Sequence, residues 1–288
     1  MTRNVLYVNR PPPPTPPCCS PTLRLNCLSQ CFGPHSLRSP TRPARPTRSA
    51  RSVTGGNAGI GFALCKQLAI DDGCRVYLCA RSTAKAQAAV DAIVSEGASA
   101  ESLVPLVVDV TDQTTIDAAA AVLMDEGVAL YGVVNNAGAG LAHGGVTGAQ
   151  VMDTNLQGPK RVCEAFLPLI SRNGGRIVNV SSGCASMYMR GSSMGGKPVS
   201  HTSAAQKAVL LSPDVTWEQI EEVVAFETTK GEGGELGGGQ AYCLSKASLT
   251  AYTQILAKEH SDVLSSSCSP GFIATKVRSV EGYMYIYI

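Results

Sequence analysis

The chain contains no metal-site or redox-motif spacing: its 288 residues include neither a CxxC nor an HExxH. Of its eleven cysteines, four fall in the first 31 residues and the others stand singly at 65, 74, 79, 163, 184, 243 and 268. Zinc and thiol-exchange readings therefore lack their ligand arrangement, and the cysteines read as reduced, partly buried thiols. No apolar run reaches the roughly 18 residues that a membrane span requires, so the sequence reads as a soluble chain with no membrane partner. Nor is there an acidic residue before Asp71, although residues 1 to 52 already hold eight of the 24 Lys and Arg. The remainder carries 16 basic against 22 acidic side chains, a balance of about −6. A nucleic-acid surface needs basic residues clustered on a folded face. Here they cluster in an Arg, Pro and Ser stretch without apolar period, so nucleic acid is set aside as a partner.

That stretch, residues 1 to 52, holds eleven of the 17 prolines, including Pro11 to Pro14, and reads as a disordered or targeting segment outside the fold. Its Arg-rich, acid-free composition suits a plastid-type transit peptide or a mispredicted first exon; so much proline disfavours an amphipathic mitochondrial helix. The expected compartment is the cytoplasm, or a plastid if the segment is an address.

From Val53 onward, short β-rich runs alternate with Ala-rich helical stretches, the pattern of parallel βαβ units. The runs predict strands over 75–80 (RVYLCA), 103–110 (LVPLVVDV), 130–135 (LYGVVN), 176–181 (RIVNVS) and, weakly, 263–269. Helices are predicted over 59–70, 83–96, 112–126, 150–171 and 241–260. Near-continuous apolar strands are covered on both faces, which gives an α/β fold: a doubly wound parallel Rossmann-type sheet, one domain over 53–288, with its ligand crevice beyond the carboxyl ends of the strands.

Thr54 to Gly61 reads TGGNAGIG and places Gly55, Gly59 and Gly61 where a strand should turn into a helix. Such glycines let backbone approach a pyrophosphate, and the helix N-terminus offers it free amides. A Gly-rich turn is by itself more often a plain loop. Here it is followed by NNAG at Asn135 to Gly138 and by YxxxK at Tyr242 to Lys246. Tyr242 and Lys246 lie four apart on a predicted helix, so both project from one face and can act on one substrate. Three such motifs in this order resemble the short-chain dehydrogenase/reductase family over about residues 53 to 277. The long segment before the Tyr, TGGN and the AR after the second strand are most similar to its monomeric carbonyl reductase subgroup.

That resemblance implies Tyr242 as proton donor and Lys246 as the residue that holds the nicotinamide ribose and tunes the phenol. It implies Ser182 as the hydroxyl that orients the substrate carbonyl, with Ser181 a one-residue alternative, and Asn155 as support for a proton-relay water. For the cofactor it implies the turn residues Gly55, Asn57, Gly59, Ile60 and Gly61; Asp109 and Val110 at the adenine; and Asn136, Ala137 and Gly138 at the adenine ribose. It further implies Pro270 and Gly271 at the nicotinamide and Thr275 near the pyrophosphate. Each has a plainer alternative. Asp109 could be a helix N-cap or turn residue, Asn155 a helix residue bonding backbone, and Pro270-Gly271 a turn. His143, His201 and His260 sit in no motif and read as surface residues, and Trp217, opening WEQIEEVV, as packing.

The expected function is NADPH-dependent carbonyl reductase/alcohol dehydrogenase chemistry, with hydride transferred to a ketone or aldehyde as the small-molecule substrate. Arg81 follows RVYLCA where an acidic residue would grip a ribose diol, and a guanidinium there suits a 2′-phosphate, so NADP(H) is the expected cofactor. The other class of reading is a catalytically silent or truncated nucleotide-binding relative. Residues 183–241 place 59 positions between Ser182 and Tyr242, where the family usually has about a dozen; this insertion could cover the usual pairing helix, and a monomer is expected. The chain ends give a last expectation. Arg51 and Ser52 enter what should be a dry central strand, at a cost of several kcal/mol if unpartnered, and the sequence ends 17 residues after Gly271 on the apolar run GYMYIYI. Poor solubility or weak activity is expected on those grounds.

Overall fold

The computed structural model describes residues 49–140, 145–194, 196–231 and 234–271. Six parallel strands form one sheet in the order β3-β2-β1-β4-β5-β8. They are β1 (Ala50–Val53), β2 (Arg75–Ala80), β3 (Leu103–Val107), β4 (Leu130–Asn135), β5 (Arg176–Val180) and β8 (Leu264–Cys268). β1 lies at the centre between β2 and β4, and the strand order reverses on either side of it, which opens a crevice at its carboxyl end.

Helices cover both faces because the strands are apolar on both. On one side α1 (Gly59–Ile70) and α2 (Thr83–Ser95) bury Leu64, Leu68, Val90 and Ile93 against Val76, Leu78 and Val178. On the other, α3 (Gln113–Asp125) and a long composite helix pack on Tyr77, Val133 and Ile177. The stretch predicted as one helix over 150–171 is in fact α4 (Gly148–Met152), a π-helical turn (Asp153–Gln157), α5 (Gly158–Phe166) and a closing 3₁₀ turn (Leu167–Leu169). The third strand ends at Val107, short of the predicted 110, which frees Asp109 and Val110 to form a turn.

The central strand forms despite its polar residues. Arg51 is 6% exposed and Ser52 is fully buried. The Arg51 guanidinium donates to the Ser49 carbonyl at 3.1 Å, contacts the Cys74 thiol and lies 5.1 Å from the centre of the Tyr131 ring. These contacts mean that the guanidinium is not the unpartnered charge expected from the sequence. The Ser52 hydroxyl has no partner among the described residues, a cost of about 1–3 kcal/mol.

Between Ser182 and Tyr242 the chain builds α6 (Gly183–Arg190), a short hairpin of β6 (Ser193–Met194) and β7 (Lys197–Pro198), α7 (Ala204–Val209) and α8 (Trp217–Lys230). The final described helix, α9 (Gly238–Glu259), carries the YxxxK pair and is buried along most of its length. Glu227 of α8, only 1% exposed, holds the insertion together. Its carboxylate accepts from the Tyr188 hydroxyl at 2.9 Å, the Ser200 hydroxyl at 2.8 Å, the His201 amide at 2.9 Å and both the amide and hydroxyl of Thr202. Burial works against the charge, but the donors of Thr202, His201 and Ser200 outweigh it and hold the carboxyl below its ordinary 4.5.

Replacing Glu227 by Ala strands several buried donors and is expected to cost about 3 kcal/mol or more in urea unfolding. Because the folded-state pKa is depressed, the charge's contribution is complete above the ordinary carboxylate value and is lost as the pH falls through the folded one. Wild type should therefore lose more stability than Glu227→Gln between pH 6 and pH 3; parallel losses would show that the latch does not depend on the charge.

Candidate active site

The Gly-rich turn leaves β1 at Thr54 and enters α1 at Gly59. Gly55 has φ +64°, a left-handed conformation that side chains resist, and a Cβ on Gly61 would collide with the Gly55 carbonyl and the Asn136 amide. These two positions explain why glycine is required. The N-cap of α1 is Ala58, whose side chain caps nothing, and the first turn holds no acidic residue. The start of α1 therefore presents uncapped amides and the positive end of its dipole.

This turn is stitched to the NNAG segment at the end of β4. The Thr54 hydroxyl accepts from the amides of Asn136 and Ala137, both at 3.0 Å, and the Asn136 side chain donates to the Thr54 carbonyl at 2.9 Å. The Asn136 side-chain amide thus fixes the loop, and Asn136, Ala137 and Gly138 all line the crevice. Asn155 sits in the π-helical turn, fully buried. It accepts from the Ala139 amide at 2.7 Å and donates to the Ala139 carbonyl at 2.7 Å and to the Ser245 hydroxyl at 3.2 Å. It therefore does bond backbone, as its plainer alternative held, and through Ser245 it also reaches the turn of α9 that carries the YxxxK pair.

At the end of β5 the two serines separate. The Ser181 hydroxyl turns away, toward the Lys246 carbonyl at 3.1 Å and Thr250 at 2.9 Å. The Ser182 hydroxyl caps α6 by accepting from the Cys184 amide at 3.2 Å and also hydrogen-bonds the Tyr242 phenol. Of the two, Ser182 is the serine whose hydroxyl meets the Tyr242 phenol. Lys246, 3% exposed, donates its ammonium to the Val180 carbonyl at 2.8 Å and lies 5.7 Å from the Tyr242 ring centre.

Burial pushes the Tyr242 phenol up, against a lowering hydrogen bond from Ser182, and the thiols of Cys184 and Cys243 add to the rise. The expected lowering by the ammonium is absent, because desolvation dominates here. Burial likewise brings Lys246 down to about 8. At neutral pH the site thus presents a firmly protonated phenol and a protonated amine, of which only the amine is close to its threshold.

Tyr242 and Lys246 open onto a cavity of about 790 Å³ that runs over the sheet's carboxyl edge. Gly55, Asn57, Gly59, Ile60, Arg81, Asp109, Val110, Asn136, Ala137 and Gly138 all reach it, which unites the three motifs in one crevice. Asp109 presently binds its own turn, accepting from the amide and hydroxyl of Thr111 at 3.0 and 2.7 Å, as its plainer alternative anticipated. Pro270 is buried just past β8 and Gly271 has φ +77°, consistent with a turn there; Thr275 and His143 lie outside the described residues. His201 is exposed and bonds Gln240 at 2.9 Å.

Sequence reasoning missed Gln150, Asp153 and Thr154, which form one wall of the cavity. It also missed Arg161, which pairs with Asp153 at 2.8 Å and donates to the Val110 carbonyl at 3.2 Å, tying the two walls together. Their only signal was nearness to Asn155, since none belongs to a recognisable spacing.

The comparisons with known proteins agree with this geometry. The family model for short chain dehydrogenases matches residues 51–195. Among curated proteins, (+)-neomenthol dehydrogenase of Arabidopsis thaliana is 32% identical over 268 residues, covering 81% of this chain and 86% of the relative. Carbonyl reductase [NADPH] 1 of Homo sapiens is 30% identical over 238 residues, covering 77% and 81%. Among solved structures, salutaridine reductase from Papaver somniferum superposes with a TM-score of 0.67 at 28% identity, over 80% of this chain and 88% of that one. Motif order, crevice and sequence similarity converge: the chain belongs to the short chain dehydrogenase family and is of its carbonyl reductase type.

Proposed function

We propose that this protein is an NADPH-dependent carbonyl reductase/alcohol dehydrogenase that reduces a ketone or aldehyde, with Tyr242 as proton donor. The observation that carries the reading is the Ser182–Tyr242 hydrogen bond at the mouth of a crevice that also holds the Gly-rich turn. A dinucleotide fits the residues present. The cradle at Gly55 and Gly61 admits no side chain, and the uncapped start of α1 suits a pyrophosphate. Arg81, exposed at the end of β2 and lining the same cavity, suits a 2′-phosphate. Asn57 and Ile60 would contact the dinucleotide at the turn, Asp109 and Val110 the adenine, Asn136, Ala137 and Gly138 the adenine ribose, and Pro270 and Gly271 the nicotinamide end. The similarity to relatives named for NADPH supports the same choice.

When bound, the dinucleotide supplies the hydride. Tyr242 gives its phenolic proton to the carbonyl oxygen, and its raised pKa keeps that proton in place at neutral pH. Ser182 holds the same oxygen in line. Lys246, charged below about pH 8, supplies the donor for the nicotinamide ribose and a positive field for the phenolate that forms. Asn155 fixes the α9 turn through Ser245. We read residues 53–288 as one reductase domain with 183–241 as its insertion. A monomer fits the way that insertion lies on α9: Trp217 meets Tyr252 edge-on at 5.5 Å, and Gln254 donates to the Leu210 carbonyl at 3.2 Å.

Tyr242→Phe keeps the packing and removes the hydroxyl, so turnover of simple aldehydes, quinones or cyclic ketones with NADPH should fall by about 10² or more while NADPH still binds. Near-normal turnover would eliminate the mechanism. For the cofactor, Arg81→Ala should weaken NADPH binding about tenfold or more and leave NADH nearly unchanged, as expected for a charged hydrogen bond of about 1.5–3 kcal/mol; equal effects on both would remove the 2′-phosphate reading. The Lys246 value sets a pH dependence. Burial lowers its folded pKa, so the ammonium is lost as pH rises through about 8 and NADPH affinity should decline over that range. Titrating NADPH by fluorescence from pH 6.5 to 9.5 measures this, and a decline of the same size in Lys246→Met would assign it elsewhere.

A further inference from the structure

One wall of the cavity is held from behind by a guanidinium that no motif contains. Arg161 of α5 pairs through one terminal nitrogen with the Asp153 carboxylate at 2.8 Å and donates from the other to the Val110 carbonyl at 3.2 Å. Asp153 opens the π-helical turn, earlier on the same composite helix, and Val110 belongs to the turn between β3 and α3. Both line the cavity of about 790 Å³, whereas Arg161 does not, so its effect on any occupant passes through the two residues it joins. The planar fork suits this double attachment, since an ammonium has no second prong held at a fixed angle.

The turn that carries Val110 has its other ties on the side of α3. The Asp109 amide donates to the Thr115 hydroxyl at 2.9 Å, and that hydroxyl donates to the Asp112 carbonyl at 2.9 Å. Asp112 caps α3 by accepting from the Thr114 amide at 2.9 Å. These bonds fix the turn to the helix that follows it and leave its distance from the composite helix to be set at Val110. There the two segments approach as closely as a residue without a side chain permits: a Cβ on Gly158 would lie 2.9 Å from the Cβ and Cγ2 of Val110 and 3.2 Å from its carbonyl oxygen. Gly158 stands three residues before Arg161, on the same face of α5. The glycine admits Val110, and the guanidinium fastens it.

We propose that Arg161, anchored by Asp153, is a positioning residue that sets the Asp109–Val110 turn for the adenosine half of NADPH and thereby governs how tightly the dinucleotide is held. This role rests on the cofactor placement proposed above, in which Asp109 and Val110 meet the adenine. A flat base gains most from a wall that is already in place, because ordering a loose turn on binding subtracts from the affinity. Loss of the fork removes a charged donor from the Val110 carbonyl and lets the turn move away from Asp153 and Thr154, which line the cavity from the composite helix. The step at the carbonyl is served by other ties: Lys246 is held by Val180, and the phenol by Ser182. The effect of the fork therefore falls on dinucleotide affinity and not on turnover of the bound complex.

The test is made on the full chain and reads binding directly. Adenosine 2′,5′-bisphosphate, which carries the adenosine half and no nicotinamide, is titrated by calorimetry into wild type, Arg161→Ala, Asp153→Ala and the double variant, with NADPH followed in parallel by fluorescence. Arg161→Ala is expected to weaken both ligands by about fivefold or more, as for loss of a hydrogen bond from a charged group. KM for NADPH should rise by the same factor, while kcat at saturating NADPH changes by less than about twofold. Asp153→Ala should weaken binding in the same direction, and the double variant should match Arg161→Ala, since a carboxylate that acts only by holding the guanidinium then has nothing to hold. Unchanged affinity in Arg161→Ala would overturn the role, and so would a fall in kcat as large as the rise in KM, which marks general damage to the site. Recovery of affinity in the double variant would overturn it too, by showing that Arg161 does no more than neutralise a carboxylate facing an anionic ligand. Wild type that binds neither ligand would refute the cofactor placement, and this role with it.

Discussion

The ammonium of Lys246 donates to the Val180 carbonyl across the seam where α9 meets the carboxyl end of β5, and the Ser181 hydroxyl returns a bond to the Lys246 carbonyl. This reciprocal tie fixes a helix that is buried along most of its length against the one strand end that carries Ser182. A buried ammonium is expensive, and the expense shows in its pKa, brought down to about 8. What the fold obtains is registration: with Lys246 locked to β5, Tyr242, one helical turn earlier, meets Ser182. Asn155 secures the same turn from the other side through Ser245, whose hydroxyl donates to the Tyr242 carbonyl at 2.8 Å.

The parts of this arrangement that were legible in the sequence are those that punctuate the chain. TGGNAGIG, NNAG and YxxxK stand at strand ends or at fixed helical spacing, where backbone geometry restricts the residue type. Helices 59–70 and 83–96 were readable because their apolar faces alternate with strands that are apolar throughout. β1 was not recognisable as sound central sheet, because what accommodates Arg51 comes from Cys74 and Tyr131, residues that neighbour it only after folding. The choice between Ser181 and Ser182 was equally hidden; both lie just past β5, and only packing against α9 decides which hydroxyl meets the Tyr242 phenol. Arg161 and Glu227 belong to no motif, since their importance comes from the donors and acceptors that tertiary structure brings to them.

The long insertion is a structured lobe of its own. A single carboxylate on α8 gathers donors from α6 and from the loop after the hairpin, so the segment is organised around a buried anion as much as around apolar packing. Lys207, itself buried, lies 5.4 Å from the Tyr188 ring centre and places a cation on the far side of that same tyrosine. The lobe then rests on α9 through Trp217 and Leu210, which leaves its position coupled to the helix that bears Tyr242.

The π-helical turn at Asp153–Gln157 has one residue more than the α-helix it interrupts. Each residue advances an α-helix by about 100°, so this supernumerary position rotates every later side chain of the composite helix relative to the earlier ones. Val151 and Met152 before it, and Val162, Cys163 and Phe166 after it, all reach the same core. The widened turn is where the rod brings a polar side chain inward among them: Asn155, fully buried there, bonds its amide to the backbone of Ala139 and to Ser245, so the helix acts as a clamp on the loop after β4 as well as a wall of the core.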